Sequence, residues 1–173
     1  AFITAQDVNY VAQALDADGI VPYSGSANVL ATLLRYDYLW NNIRVKGGAY
    51  GAMFQHNRSG SLALVSYRDP NITKTLEAYR EIPAYIKNLV TDEEELFKTI
   101  IGTLSNLDQP LSAYHRGIRS FNMKQNSVTE ADIVQLKEEI LATKTTDLTQ
   151  LSDSFTKVLA NPATAIIGNK AQI

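Results

Sequence analysis

Chemistry is most legible in this chain at Arg44 to Gly51, R-V-K-G-G-A-Y-G, where two cations, three glycines and a tyrosine share eight positions. Glycines beside cations can cradle a phosphate. The spacing here, however, is neither the P-loop G-x-x-x-x-G-K-[ST] nor the dinucleotide-binding G-x-G-x-x-G. The apolar pattern also puts these glycines after a helix and before a strand, the wrong polarity for holding an anion at a helix N-terminus. Two other readings fit. Gly47 and Gly48 can cap the helix while Gly51 permits a close backbone approach in the strand. Alternatively, the missing side chains admit an extended peptide, to which Arg44 and Tyr50 present polar tips.

Elsewhere the chain offers a catalyst little. Its two histidines, His56 and His115, are 59 positions apart, and neither H-E-x-x-H nor H-x-x-E-H occurs. They read as a surface histidine at a strand end and a helix-face histidine, with no metal ligand among them. With no cysteine in the sequence, disulfides, thiolate zinc sites, iron–sulfur clusters and cysteine nucleophiles are excluded. No G-x-S-x-G elbow is present, and Ser59-Gly60-Ser61 reads as a turn. Glu93-Glu94-Glu95 reads as a solvated first helical turn. Nine tyrosines against five phenylalanines imply rings at the edge of the core or along a polar groove, because each hydroxyl needs a partner.

The 173 residues are 45% apolar and 20% charged, the balance of an ordinary globular domain, and positions 1–173 read as one domain. The net charge of −2 argues against a nucleic-acid partner. No apolar run approaches the ~18 residues of a membrane span. The chain starts at Ala1 without an initiator Met, which reads as an excised or mature segment.

The elements that must position the glycine segment follow from periodicity. Val8, Tyr10, Ala12 and Ala14 alternate with Asp7, Asn9 and Gln13, predicting a half-buried strand over 7–15. Ser24 or Ser26 caps a helix to about Trp40, with Val29, Leu33, Tyr36 and Trp40 on its apolar stripe. A hairpin follows, with strands 49–55 and 61–67 about the turn Asn57-Arg58-Ser59-Gly60. Asp69 and Pro70 predict the N-cap and first residue of a helix that Pro83 must kink or break. Thr91 to Glu94 has the form of a capping box, for a helix burying Leu96, Phe97, Ile100, Ile101 and Leu104. A further helix runs through Phe121, and Ser127 or Thr129 caps the next. A last helix carries Leu148, Leu151, Phe155, Val158 and Leu159. Asn161-Pro162 ends it before a short buried strand over 163–168. Strand, helix, hairpin, a run of helices and a strand predict an α+β fold, an antiparallel-dominated sheet with helices packed on one face.

The stretch Tyr38 to Gly51 resembles the C-terminal part of the pitrilysin/insulinase-type zinc metallopeptidases, in the presequence-protease branch. Ser66-Tyr67-Arg68-Asp69-Pro70-Asn71, Ile100-Ile101-Gly102-Thr103, Asp108-Gln109-Pro110 and Ile166-Ile167-Gly168-Asn169 follow in the order that branch has them. The resemblance implies four related domains in two halves that close round a chamber, with zinc, H-x-x-E-H and the glutamate base in the N-terminal half. This chain would then be the fourth, C-terminal domain and bind no cofactor itself. Its partners would be the N-terminal catalytic half of the same polypeptide and an unfolded, targeting-type peptide. By position in the motif, Arg44 and Tyr50 would contact that peptide, supported by Gly47, Gly48 and Gly51. The compartment would be the cytoplasm in a bacterium or an organelle matrix in a eukaryote. The alternatives are a structural or assembly domain of the same fold and a small-anion-binding module.

Overall fold

A computed structural model describes residues 1–169 and 171. Five strands make one sheet in the order β1-β5-β2-β4-β3. They are β1 (Phe2–Thr4), β2 (Asn9–Asp16), β3 (Gly51–His56), β4 (Ser61–Asp69) and β5 (Ala163–Asn169). The β1–β5 pair is parallel and the other three pairs are antiparallel. The sheet is therefore antiparallel-dominated, and its helices lie against one face, the α+β arrangement predicted from element order.

That covered face carries Val11, Leu15, Phe54, Leu62 and Leu64, buried with Leu30, Leu34 and Leu39 from the first helical segment and with Ile82, Ile140, Leu148 and Phe155 from later ones. The phase of β2 is opposite to the one its composition suggests. Asn9, Val11, Gln13 and Leu15 are buried, whereas Tyr10, Ala12 and Ala14 lie on the other face. Asn9 and Gln13 tolerate burial because their amides donate hydrogen bonds, Asn9 to the Asp69 carbonyl at 3.0 Å and Gln13 to the Thr164 hydroxyl at 3.3 Å. The uncovered face carries mostly small side chains, with the Asp16 carboxylate at one end. Ala12 pairs with Val65 and Ala165, Ala14 with Ala63 and Ala163, and Tyr67 with Gly51. For the same reason β5 is largely exposed rather than buried: Ala163, Ala165 and Ile167 point to this open face. The three-residue β1, too short to show a period, was not foreseen.

Helix α1 (Gly25–Leu33) is capped by Ser24, whose hydroxyl accepts from the Ala27 amide. It does not end near Trp40 but runs on as a π-helix over Leu34–Val45. Its closing bond, from the Lys46 N–H to the Asn41 carbonyl at 3.0 Å, has the wider i→i+5 spacing. The wider winding turns Leu34, Tyr38, Leu39 and Ile43 inward and leaves Tyr36 and Trp40 outside the core. The helix expected at Pro70 begins at Thr73, because Asp69 is buried at the end of β4 and does not act as a cap. It breaks before Pro83 as expected, into α2 (Thr73–Arg80) and α3 (Ile82–Lys87).

Helix α4 (Glu93–Leu107) is capped by Asp92 through the Glu95 amide, so the Thr91 capping box does not form. Phe97 and Ile101 on α4 are exposed, at 61% and 42%, not buried as their spacing suggests. Helix α5 (Ala113–Gln125) has no buried residue. Thr129 caps α6 (Glu130–Ala142) in a reciprocal box with Asp132. The single last helix is two, α7 (Thr145–Thr149) and α8 (Ser152–Val158). Two tyrosines are core residues with their hydroxyls engaged: Tyr38 donates to the Ala78 carbonyl at 2.7 Å and Tyr79 to the Val11 carbonyl at 3.3 Å. Burial, aided by the Glu81 charge, pushes the Tyr38 phenol up to about 12.

Candidate functional site

Arg44 stands in the last turn of the π-helix with its guanidinium over the Trp40 ring, 3.9 Å from the centroid. A cation held flat on an indole gains roughly 0.5–1 kcal/mol at an exposed site and keeps its N–H edge free. Among the described residues the ion pairs are Lys98–Glu94 and Lys137–Asp108, so no carboxylate neutralises Arg44. The chain then reverses at two glycines. A Cβ on Gly47 would lie 2.5 Å from the Ile43 carbonyl oxygen, and Gly48 has φ +81°, a left-handed value that disfavours any larger residue.

The amides of this turn are already used. The Gly48 N–H donates to the Arg44 carbonyl at 2.9 Å, Ala49 to Ile43 at 3.1 Å, and Tyr50 to the Tyr67 carbonyl at 3.1 Å. Three successive amides spent on the backbone are not available to cradle an anion. Tyr50 emerges 67% exposed, its ring edge-on to Tyr67 at 5.7 Å, and Tyr67 meets Tyr10 in the same way at 5.5 Å. The row of three rings runs from the glycine turn onto the open face of the sheet.

The structure thus gathers Arg44, Gly47, Gly48 and Tyr50 into one turn. Gly51 stands apart from the expectation of close packing: a Cβ there would meet nothing within 4 Å, so no part of the chain needs the space it leaves. Trp40 was missed as a member of the candidate site because its apolar character fitted a core stripe. Its place four residues before Arg44 was the available signal. Tyr67 and Asn71 were quoted only as parts of a motif.

A family model described as the PreP C-terminal domain matches residues 1–169. The chain belongs to that family. It is 38% identical over 151 residues to Protein HypA of Clostridium perfringens, covering 87% of this chain and 16% of the relative. It is 33% identical over 158 residues to Presequence protease 1, chloroplastic/mitochondrial, of Arabidopsis thaliana, covering 90% of this chain and 14% of the relative. The chain thus spans about one sixth or less of the length of these two relatives. Among solved structures, a peptidase inactive domain from Pseudomonas fluorescens superposes with a TM-score of 0.73 at 14% identity, over 98% of this chain and 42% of that one. Pitrilysin superposes at 0.62 and 12% identity, over 96% and 18%. At such identities the likeness is one of fold; the resemblance read from the motifs is borne out by the family model and by the relatives in sequence.

The peptidases that the motifs resemble carry zinc, whereas the described residues of this chain do not group into a zinc site. Among the described residues no three His, Asp or Glu side chains are grouped to hold a metal ion. His115 lies exposed on α5 with Nδ1 2.8 Å from the Ser112 hydroxyl, whereas His56 ends β3 against the Tyr23 ring at 5.2 Å. His56 is half-buried, not a surface residue, and its Nε2 is enclosed without a hydrogen-bond partner among the described residues. Burial lowers its pKa from the usual histidine value, against a smaller opposing effect of the Val21 backbone.

The unfolded chain therefore takes up a proton at His56 before the folded one does. The stability contributed by the neutral ring is present above about pH 6.5 and is lost as pH falls through that value toward the folded pKa. In urea titrations between about pH 7 and pH 5, His56→Gln should flatten the decline seen in the parent sequence. Parallel curves for the two proteins would contradict this.

Proposed function

We propose that this domain is the non-catalytic, peptide-contacting wall of the closed chamber of a zinc metalloendopeptidase that degrades unfolded peptides of the targeting type. It is the fourth and C-terminal domain of that enzyme, and its partner is the metal-bearing N-terminal half of the same polypeptide. The observation that carries this is the pairing of an unneutralised Arg44 guanidinium with an exposed Tyr50 at the two ends of one rigid turn. Both side chains end in donors, and donors of that kind bind peptide carbonyls and stabilise negative charge developing on a carbonyl oxygen. They reach the reacting peptide only while the two halves are closed, when water is excluded and each hydrogen bond is strengthened.

Two features support the same reading. The open sheet face next to Tyr50 carries small apolar side chains and tyrosines, a surface against which an extended chain can lie. The unburied α5 and the exposed Phe97 and Ile101 of α4 leave apolar surface for the rest of a larger protein to cover. A small-anion module is disfavoured by the spent amides of the glycine turn.

The deciding substitution is Tyr50→Phe in the full-length peptidase, which removes one neutral donor and leaves the ring. Turnover of an unfolded peptide should fall about tenfold, the worth of one such hydrogen bond, with zinc content and thermal unfolding unchanged. Turnover at the parent rate would sink the role of Tyr50 and leave a purely structural domain.

A further inference from the structure

Of the motif Ser66-Tyr67-Arg68-Asp69-Pro70-Asn71 only Tyr67 enters the reading above, yet its last residue reaches the glycine turn directly. The side-chain amide of Asn71 donates from Nδ2 to the carbonyl of Gly47 at 2.6 Å. Gly47 stands three residues from Arg44 and three from Tyr50. Asn71 is itself held, because its backbone N–H donates at 2.8 Å to Oδ1 of Asp69, a carboxylate with 0% exposure. The Thr75 hydroxyl donates to the other Asp69 oxygen, and the Asn9 amide donates to the Asp69 carbonyl. On the far side of the turn, the Tyr50 N–H bonds to the backbone of Tyr67, next to Arg68, whose φ of +48° is one that a residue with a side chain rarely adopts.

We propose that Asn71 is a positioning residue for Arg44 and Tyr50: its amide clamps the Gly47 carbonyl between them, and buried Asp69 fixes Asn71. The proposal rests on the reading of Arg44 and Tyr50 as peptide contacts. Two adjacent glycines give the turn the least intrinsic stiffness of any pair of residues. A bond from a fixed side chain to the carbonyl at their start restores it. Placement errors on the scale of 1 Å cost turnover more than they cost binding, because the reacting geometry is the more exacting. The R-V-K-G-G-A-Y-G and S-Y-R-D-P-N motifs then form one unit, the first presenting the donors and the second holding them still.

The test is a double-mutant cycle in the full-length peptidase, cleaving an unfolded fluorogenic peptide. Asn71→Ala should lower kcat about tenfold while KM changes less than about twofold, with zinc content and the thermal midpoint close to the parent values. Asn71→Asp, which keeps the shape and loses the donor, should behave alike. If Asn71 acts through Tyr50, then adding Asn71→Ala to Tyr50→Phe should cost less than about threefold more. Parent turnover in either Asn71 variant, a full independent loss in the double variant, or losses that track the thermal midpoint would each overturn the clamp. A parent rate for Tyr50→Phe alone overturns the underlying reading instead. A slow Tyr50→Phe beside a fast Asn71→Ala removes the clamp only.

Discussion

Replacing Arg44 with lysine in the full-length peptidase is expected to lower kcat/KM for peptide cleavage about 10²-fold, although the charge is conserved. The guanidinium is planar and its Cζ lies over the Trp40 ring at 3.9 Å from the centroid, a contact that restricts where its N–H groups can point. An ammonium is a compact, strongly hydrated point charge on a flexible stem. It gains less from the indole face and cannot offer two parallel donors to one carbonyl or to two adjacent ones. The loss should therefore fall short of the one seen with Arg44→Ala by only a small factor. Trp40→Leu, which keeps Arg44 and removes its platform, should show an intermediate loss. If Arg44→Lys cleaves at the parent rate, a diffuse positive charge is sufficient and the stacked geometry has no function. If Arg44→Ala also does so, the residue does not meet the peptide.

The fold was largely legible from periodicity, and its two main failures each have a physical cause. Alternation in β2 identifies a strand but not which of its faces is covered, since a period of two is the same seen from either side. Tyr10, Ala12 and Ala14 looked like the inward set. The inward set is instead Asn9, Val11, Gln13 and Leu15, with the two amides satisfied by partners 60 and 151 positions away in sequence. In the π-helix the template of 3.6 residues per turn placed Tyr36 and Trp40 inside. The buried residues Leu34, Tyr38, Leu39 and Ile43 recur at intervals of four, one and four, which fits the wider i→i+5 winding. Both errors concealed parts of the candidate site, the first by hiding an open face of the sheet and the second by hiding the indole under Arg44.

The candidate site was legible only as a motif. Local residue types identified Arg44 and Tyr50 as polar tips beside glycines, and that much needed no tertiary information. Asn71 reaches Gly47 across 24 positions, and Asp69 was read as a helix cap because Asp-Pro is so commonly one. Nothing local separates an Asp that caps a helix from one that ends a strand with its carboxylate turned inward. Tertiary packing settles it, by burying Asp69 completely.

That burial carries the largest expected effect on stability. Asp69→Ala should destabilise the chain by about 3 kcal/mol in urea unfolding, well above the usual cost of a surface substitution. The substitution removes two acceptors at once, leaving the Asn71 N–H without one and the Thr75 hydroxyl only the longer contact to the Asn71 carbonyl at 3.4 Å; Thr75 is itself buried. Each such orphaned donor costs about 1–3 kcal/mol. Asp69→Asn is the informative companion. One of its oxygens can still accept, while its NH₂ must face the Thr75 hydroxyl, which can in turn become an acceptor. It should cost roughly half as much as alanine, by the same hydrogen-bond arithmetic. Thr75→Val should cost about 1–2 kcal/mol, since it leaves the carboxylate one donor short. If Asp69→Ala costs less than about 1 kcal/mol, the carboxylate does not anchor the end of β4, and the glycine turn must owe its rigidity to the left-handed cap alone. A large loss for alanine with a near-parent value for asparagine would show instead that the neutral acceptor suffices and the buried charge contributes nothing of its own.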